Sequence, residues 1–262
     1  MNQDYWQKQE VGKALFPDIE WNKPEQKSLA GKLLIVGGST SGFNGLSRAF
    51  SAAEQTGVGE TKLALPKNLE KFLGDNKNCV FLPINSSGGI GKDALDDLFA
   101  ASEWSDGILL AGDCGQNSET AILFEKLLAK TAKWTTVTRD AADLLIGSGE
   151  DLVNRPQTNL VLSFAQTQKL FRSVYYPKML TFSMSLSSAV EALAKFTITY
   201  PVSLTVTFND QTIVTNNGQV VSQNSNNNMK LIDASLATRC ASYLLWSPQK
   251  PLEALASAIA TT

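Results

Sequence analysis

The sequence predicts an α/β fold: a mostly parallel central sheet flanked by helices, with a late antiparallel hairpin at the sheet edge. Two observations carry this. Up to about Tyr200, short apolar runs ending in glycine or proline alternate with helical patterns, as they do around a parallel sheet. After that point apolar and polar residues alternate strictly on both sides of Asn209-Asp210, which is a hairpin signature.

The elements follow in order. Residues 1–30 combine a short helical pattern (Tyr5 to Leu15) with Pro17, Pro24 and two tryptophans, and read as an arm packed on the domain. Lys32 to Val36 is an apolar run entering Gly37-Gly38-Ser39, as expected of a strand covered on both faces. A polar loop from Thr40 to Gly45 leads into a helix over Leu46 to Thr56, ended by Gly57 and Gly59. Strands are expected at Lys62 to Leu65, stopped by Pro66, and at Cys79 to Ile84. A helix over Asp93 to Ala101 precedes a strand at Gly107 to Ala111, which enters Gly112-Asp113-Cys114-Gly115. Ser118 to Lys130 is an amphipathic helix with Ser118 as the expected N-cap. A strand at Trp134 to Thr138, a helix at Asp140 to Ile146, a strand at Leu160 to Ser163 and a helix at Ser187 to Phe196 complete the alternating part. The hairpin comprises Val202 to Phe208 and Thr212 to Thr215, and Asn216-Asn217-Gly218 turns the chain into Gln219 to Ser222. A polar loop, Gln223 to Asn228, and helices at Asp233 to Trp246 and Pro251 to Ala260 close the chain. There is no linker rich enough to divide the chain and no internal repeat, so residues 1–262 read as one domain.

Composition excludes several function classes. The charge sum is −2 with no dense basic block, which argues against nucleic acid as a partner. There is no histidine, so Ser-His-Asp and Cys-His catalysis and imidazole metal sites are excluded. Cys79, Cys114 and Cys240 are too few and too scattered for a zinc cluster or a disulfide framework, and no metal-ligating residues are assigned. The polar N-terminus lacks a signal-peptide pattern, and no stretch approaches the ~18 apolar residues a bilayer span needs. The expectation is a cytoplasmic protein with no membrane partner.

Ligands of open α/β sheets bind beyond the carboxyl ends of the strands. Three loops occupy such positions. Gly37 to Gly45 offers close backbone approach and a helix N-terminus, or is simply a strand-to-helix turn. Asp113, between glycines, suits a ribose or nicotinamide hydrogen bond, or a cap on the following helix. Asn224 to Asp233 is an Asn-rich turn able to form an amide nest for an anion, with Asp233 either an N-cap or a base beside bound phosphate.

The order of elements and several loops resemble the ribokinase-like superfamily, and within it the ADP/ATP-dependent NAD(P)H-hydrate dehydratases. The resemblance runs from about Lys27 to the C-terminus and is strongest in the first half. Gly31-Lys-Leu-Leu-Ile-Val-Gly-Gly-Ser39, Phe43 and Gly45-Leu46 fill the positions of that family's strand, Gly-Gly-Ser turn, aromatic residue and Gly-Ala pair. Its Gly-Pro-Gly-Leu-Gly segment corresponds to Ala111-Gly112-Asp113-Cys114-Gly115, followed by Glu119-Thr120. Its Asp-Ala-Asp-Ala-Leu-Asn segment corresponds to Thr138-Arg139-Asp140-Ala141-Ala142-Asp143, with the second Asp kept. The chain departs from the pattern at Ala165, where the family has a substrate-contacting His, and at Gln168, where it has Glu. The family's Gly-Thr/Ser-Gly-Asp anion hole falls at Lys230-Leu231-Ile232-Asp233, where only the Asp is kept.

The resemblance implies ATP- or ADP-dependent repair: a hydroxyl of hydrated NAD(P)H is phosphorylated and phosphate is eliminated. It implies Asp233 as the catalytic base, and Gly38, Ser39, Asn44, Gly45, Leu46, Asp113, Gly115 and Asp140 as substrate-binding residues. Asn227, Asn228, Lys230 and Ile232 would hold the adenine nucleotide, with Mg2+ as its companion ion and a homo-oligomer as a plausible state. The departures keep two alternatives open: a catalytically inactive relative that binds nucleotide or dinucleotide or serves a structural role, and a small-alcohol kinase of the same superfamily.

Overall fold

The structure is a computed structural model, and it describes residues 5–224 and 233–260. Its centre is one sheet of ten strands: β1 (Trp6–Gln9), β2 (Lys32–Gly37), β3 (Glu60–Pro66), β4 (Cys79–Leu82), β5 (Gly107–Gly112), β6 (Trp134–Thr138), β7 (Thr158–Ser163), β8 (Ser203–Phe208), β9 (Gln211–Asn216) and β10 (Gln219–Asn224). They lie in the order β1-β10-β9-β8-β7-β6-β5-β2-β3-β4. Strand β9 pairs antiparallel with β8 and β10, and the other pairings are parallel. The described α-helices are α1 (Asp18–Trp21), α2 (Asn44–Thr56), α3 (Glu70–Leu73), α4 (Leu95–Trp104), α5 (Ser118–Lys130), α6 (Arg139–Leu145), α7 (Gly149–Asn154), α8 (Phe164–Ser173), α9 (Leu186–Thr199), α10 (Ser235–Trp246) and α11 (Pro251–Ala260).

Side chains of a strand alternate between the two faces of its sheet, and the central strands show this directly. Leu34, Val36, Ile108 and Leu110 enter one buried cluster with residues of α4, α5, α6, α8 and α9. Leu33, Ile35, Leu109 and Ala111 enter the other with residues of α2, α10 and α11. The sheet is thus sandwiched between two helical layers, which explains why β2 and β5 are apolar on both faces.

Several expectations are corrected. Residues around Tyr5 to Leu15 are not helical. Trp6–Gln9 forms an edge strand beside β10, fixed by Trp6 Nε1 donating to Ser222 Oγ (2.8 Å) and Gln9 Nε2 donating to Gln223 Oε1 (2.7 Å). A long-range sheet edge overrides weak local helical spacing here. Helices α7 and α8 fall where the sequence pattern predicts no helix. The N-cap of α5 is Asn117 rather than Ser118, its side chain accepting from the Glu119 N–H. Helix α10 begins at Ser235 instead of Asp233. Among the described residues, no helix is long and apolar enough to cross a membrane.

One topological feature positions the site. After β2 the chain moves outward to β3 and β4, then returns to place β5 on the other side of β2. The connections leaving β2 and β5 lead to helices on opposite faces of the sheet, α2 and α5, and doubly wound sheets hold their ligands at such a switch point.

Candidate functional site

At the switch point β2 and β5 approach closely at their ends. The register shifts between Val36 and Gly37, and the Gly38 N–H donates to Gly112 O (3.0 Å). The chain then makes a tight reversal, Ser39 and Gly42 exchanging backbone hydrogen bonds of 3.0 and 3.1 Å. The loop after β4 folds over this reversal: the Thr40 N–H donates to Gly88 O (2.9 Å). Asn85 stiffens that loop, Oδ1 accepting from the Ser87 and Gly89 N–H groups and Nδ2 donating to Ile90 O and Thr120 Oγ1.

Asp113 stands on the β5 side. Its Oδ2 accepts from the Gly45 N–H at 2.7 Å, and its Oδ1 accepts from Arg139 Nη2 at 2.5 Å. It is therefore a helix cap, but for α2 across the switch point and not for the helix that follows it. Helix α2 has no side-chain cap of its own, so a carboxylate from β5 satisfies an otherwise orphan N–H and meets the positive end of the helix. Arg139 also donates from Nη1 to Ala111 O (3.2 Å). Its Nη1 lies over Gly45, where a Cβ would sit 1.8 Å from Nη1 and 2.9 Å from Asp113 Oδ2. Asp113 and Arg139 both hold positive φ, +57° and +56°. Left-handed backbone at a non-glycine residue costs roughly 1–3 kcal/mol and persists only where surrounding contacts enforce it.

Asp140 braces the same loop from below. Its Oδ2 accepts from the N–H groups of Cys114 (2.8 Å) and Gly115 (3.0 Å), while its buried Oδ1 has no partner. Burial together with the Asp140 and Asp113 carboxylates pushes the Cys114 thiol well above its usual range. Gln166 ties in the end of β7. With Ser163 it forms a capping box on α8, and its Nε2 donates to Arg139 O (2.8 Å) and Asp143 Oδ2 (2.9 Å).

Asp233 lies on the same edge of the sheet. Strand β10 is parallel to the main set, so its end opens on the carboxyl edge. Helix α10 runs from there to the amino edge, where Trp246 Nε1 donates to Ala30 O (2.9 Å) and Leu245 packs on Gly107 at the start of β5. The N-cap of α10 is Ala234 in the left-handed region (φ +64°). Asp233, one residue earlier, accepts from the Ser235 N–H through Oδ1 at 3.0 Å. It caps the helix from outside and directs a half-buried carboxylate to the carboxyl edge.

The residues expected to bind substrate are thus partly brought together. Gly38, Ser39, Gly45, Asp113, Gly115 and Asp140 converge at the switch point, and Asn44 is exposed beside them. The Leu46 side chain is fully buried in the core, which leaves only its backbone to face a ligand. Asp113 and Asp140 are engaged by the protein's own backbone. Gln166 and Gln168 are also committed internally, Gln166 to Arg139 O and Asp143 and Gln168 to Leu180 O (2.8 Å). Asn227, Asn228, Lys230 and Ile232 lie outside the described residues. Arg139 had not been singled out, although the segment comparison did place it where the resembled family has Ala. The Ser163-x-x-Gln166 capping signature before an apolar run was legible and would have revealed α8.

No family model matches the sequence, and no curated protein is similar to it by sequence. Solved structures do match. A ribokinase-like superfamily protein from Enterococcus faecalis superposes with a TM-score of 0.72 at 16% identity, over 100% of this chain and 88% of that one. The ADP/ATP-dependent NAD(P)H-hydrate dehydratase from Bacillus subtilis, co-crystallized with ATP/Mg2+ and soaked with CoA, gives 0.62 at 14% identity over 92% and 84%. A phosphomethylpyrimidine kinase from Clostridium difficile gives 0.52 at 11% identity over 82% and 90%. The fold is ribokinase-like.

Proposed function

We propose that the protein is a nucleotide-dependent enzyme that restores hydrated NAD(P)H. The observation that carries this is the position of Asp233, a carboxylate beside the N-cap of α10 on the sheet edge where the β2/β5 switch point lies. A helix N-terminus attracts phosphate, and a carboxylate next to it is placed to take a proton from a hydroxyl that attacks phosphorus. The likeness to a B. subtilis dehydratase co-crystallized with ATP/Mg2+ supports the same chemistry here.

In this reading the ring hydroxyl of the hydrated dihydronicotinamide attacks the terminal phosphoryl group of ATP or ADP. Asp233 accepts the hydroxyl proton, held in place by the Ser235 N–H. Phosphate then leaves with its oxygen, and loss of a ring proton restores the dihydronicotinamide double bond. The net change is nucleotide plus hydrated cofactor to the nucleotide shortened by one phosphoryl, inorganic phosphate and NAD(P)H. Among the described residues no three His, Cys, Asp or Glu side chains cluster as a metal cage. The implied Mg2+ would be held chiefly by nucleotide phosphates and water and would neutralise phosphate charge.

A second reading has its own observation. Arg139 and Asp113 pair with each other beside Gly45, and Asp140 binds its own backbone, so residues expected to hold substrate are engaged within the chain, which favours a relative that binds nucleotide without turnover. Incubation with hydrated NADPH, Mg2+ and either ATP or ADP separates the two. Return of dihydronicotinamide absorbance supports the first reading. Thermal stabilisation by nucleotide with a flat absorbance trace supports the second.

A further inference from the structure

At the amino edge of the sheet β3 starts ahead of its outer neighbour. It begins at Glu60, but β4 pairs with it only from Leu63 onward, Cys79 standing opposite Leu63. Glu60, Thr61 and Lys62 therefore border a gap on that side, and the gap is a pocket of about 530 Å³. That volume suits a small molecule. One face of the pocket is walled by α2, through Phe50 and Glu54 one helical turn apart, and the other by Trp104 at the end of α4.

Three separate segments bring lysines to this pocket. Gly59 lets residues 27–31 close on the start of β3: its N–H donates to Ala30 O (3.3 Å), and a Cβ there would lie 2.4 Å from Lys27 O. Lys27 is thereby held at the pocket. Asn78 O accepts from the Leu63 N–H (2.8 Å) and the Asn78 N–H donates to Asn76 Oδ1 (3.0 Å), which fixes Lys77 beside it. Lys62 comes from β3 itself. Its Nζ stands 4.2 Å from the centroid of the Trp104 ring, and Lys32 Nζ stands 5.6 Å from the same ring. An aromatic face holds an ammonium without neutralising it. Among the described residues none of Lys27, Lys32, Lys62 and Lys77 forms an ion pair, although Glu54 and Glu60 line the same pocket.

We infer that this pocket binds a small hydroxylated phosphate ester, of the size and chemistry of a sugar phosphate. Ammonium groups serve phosphate as point charges, and Lys27, Lys62 and Lys77 supply three in one place. The Glu54 and Glu60 carboxylates accept hydrogen bonds and donate none, so they suit hydroxyl groups. A bare anion would meet two carboxylates with nothing to offer them, which is why the hydroxyls belong to the ligand. Phe50 and Trp104 add apolar wall for the carbon skeleton. The seven residues of β3 span about 20 Å from Glu60 to Pro66, where Gly38 packs. The pocket is thus remote from the β2/β5 switch point, and the proposal stands or falls independently of the reaction proposed there.

The test is calorimetric titration of ribose 5-phosphate and glucose 6-phosphate into the wild-type chain, Lys62→Gln, Lys77→Gln and Lys126→Gln, with inorganic phosphate run alongside. Lys126 is an exposed lysine of α5 outside the pocket and controls for net charge. Lys77 is exposed and forms no ion pair, so its replacement keeps the fold, and melting temperatures check this. The expected result is saturable binding of at least one ester by the wild type, weakened about tenfold in each pocket variant, as for loss of one charge-assisted contact, and unchanged in Lys126→Gln. Absence of binding by either ester up to about 10 mM overturns the proposal. Equal binding by all four chains overturns it too, because the ester would then sit elsewhere. Inorganic phosphate binding as tightly as both esters overturns the hydroxylated ligand.

Discussion

Arg139 Nη2 and Asp113 Oδ1 lie 2.5 Å apart and connect the ends of two neighbouring strands over the first turn of α2. Removing one partner of a mostly buried pair leaves the other charge uncompensated. Asp113→Ala is expected to lower unfolding stability by about 2–3 kcal/mol, read by urea denaturation. Asp113→Asn keeps an acceptor for the Gly45 N–H and tolerates the left-handed backbone, so its cost should be smaller.

The close approach of β2 and β5 at their ends depends on Gly37, whose φ is +152°. A Cβ there would lie 2.2 Å from Gly112 O and 3.1 Å from Leu46 Cδ1. Backbone cannot yield as a flexible side chain does. Gly37→Ala should cost about 3 kcal/mol or more, or prevent folding. Gly42→Ala, in the same loop and with nothing within 4 Å of the new methyl, should leave the melting temperature unchanged.

Gln166 serves both α8 and the turn at Arg139. Gln166→Ala loses the capping box and the bonds to Arg139 O and Asp143, with an expected cost of about 1–2 kcal/mol. Gln166→Glu would keep the box but turn a carboxylate toward Asp143, whose Oδ2 is 2.9 Å from the present amide. That variant should be destabilised at neutral pH and regain stability as the pH is lowered, because two neighbouring carboxylates favour sharing a proton.

Stability should fall in alkali for a stated reason. Burial raises the Cys240 thiol to about 12 and the Cys114 thiol well above its usual range, with nearby carboxylates adding to the Cys114 shift. In the unfolded chain both ionise at about 8.5. Above that pH the unfolded state binds fewer protons than the folded one, so unfolding is favoured as pH rises. Each thiol contributes a slope of up to about 1.4 kcal/mol per pH unit, present as stability below about pH 8.5 and lost on going up. Denaturation curves between about pH 8 and pH 10 should show this slope. A Cys114→Ala, Cys240→Ala double variant should flatten it relative to wild type.

Much of the sheet was legible because its strands advertise themselves. Lys32 to Val36 and Gly107 to Ala111 are apolar on both faces and end in glycine, and the alternation about Asn209 marks the hairpin. Strand β1 was not legible, since Trp6–Gln9 is polar and short and takes its strand conformation from pairing with β10, more than 200 residues away. The site was legible as a set of loops and as the resemblance they support, but the partners of its side chains were not. Asp113 looked like a local cap or a ligand contact, yet it caps a helix 68 positions earlier in the chain. Arg139 carried no signal of its own, because only the closeness of β5, β6 and α2 puts its guanidinium on Gly45.

Activity in the wild-type chain against Asp233→Asn tests the central claim most directly. Asparagine keeps an oxygen to accept from the Ser235 N–H, so the start of α10 is preserved and only the proton acceptor is lost. With hydrated NADPH, Mg2+ and ATP or ADP, the account predicts recovery of dihydronicotinamide absorbance in the wild type and a loss of roughly 10²–10⁴-fold in Asp233→Asn. An unchanged rate in Asp233→Asn, or no recovery by the wild type with either nucleotide, would contradict it.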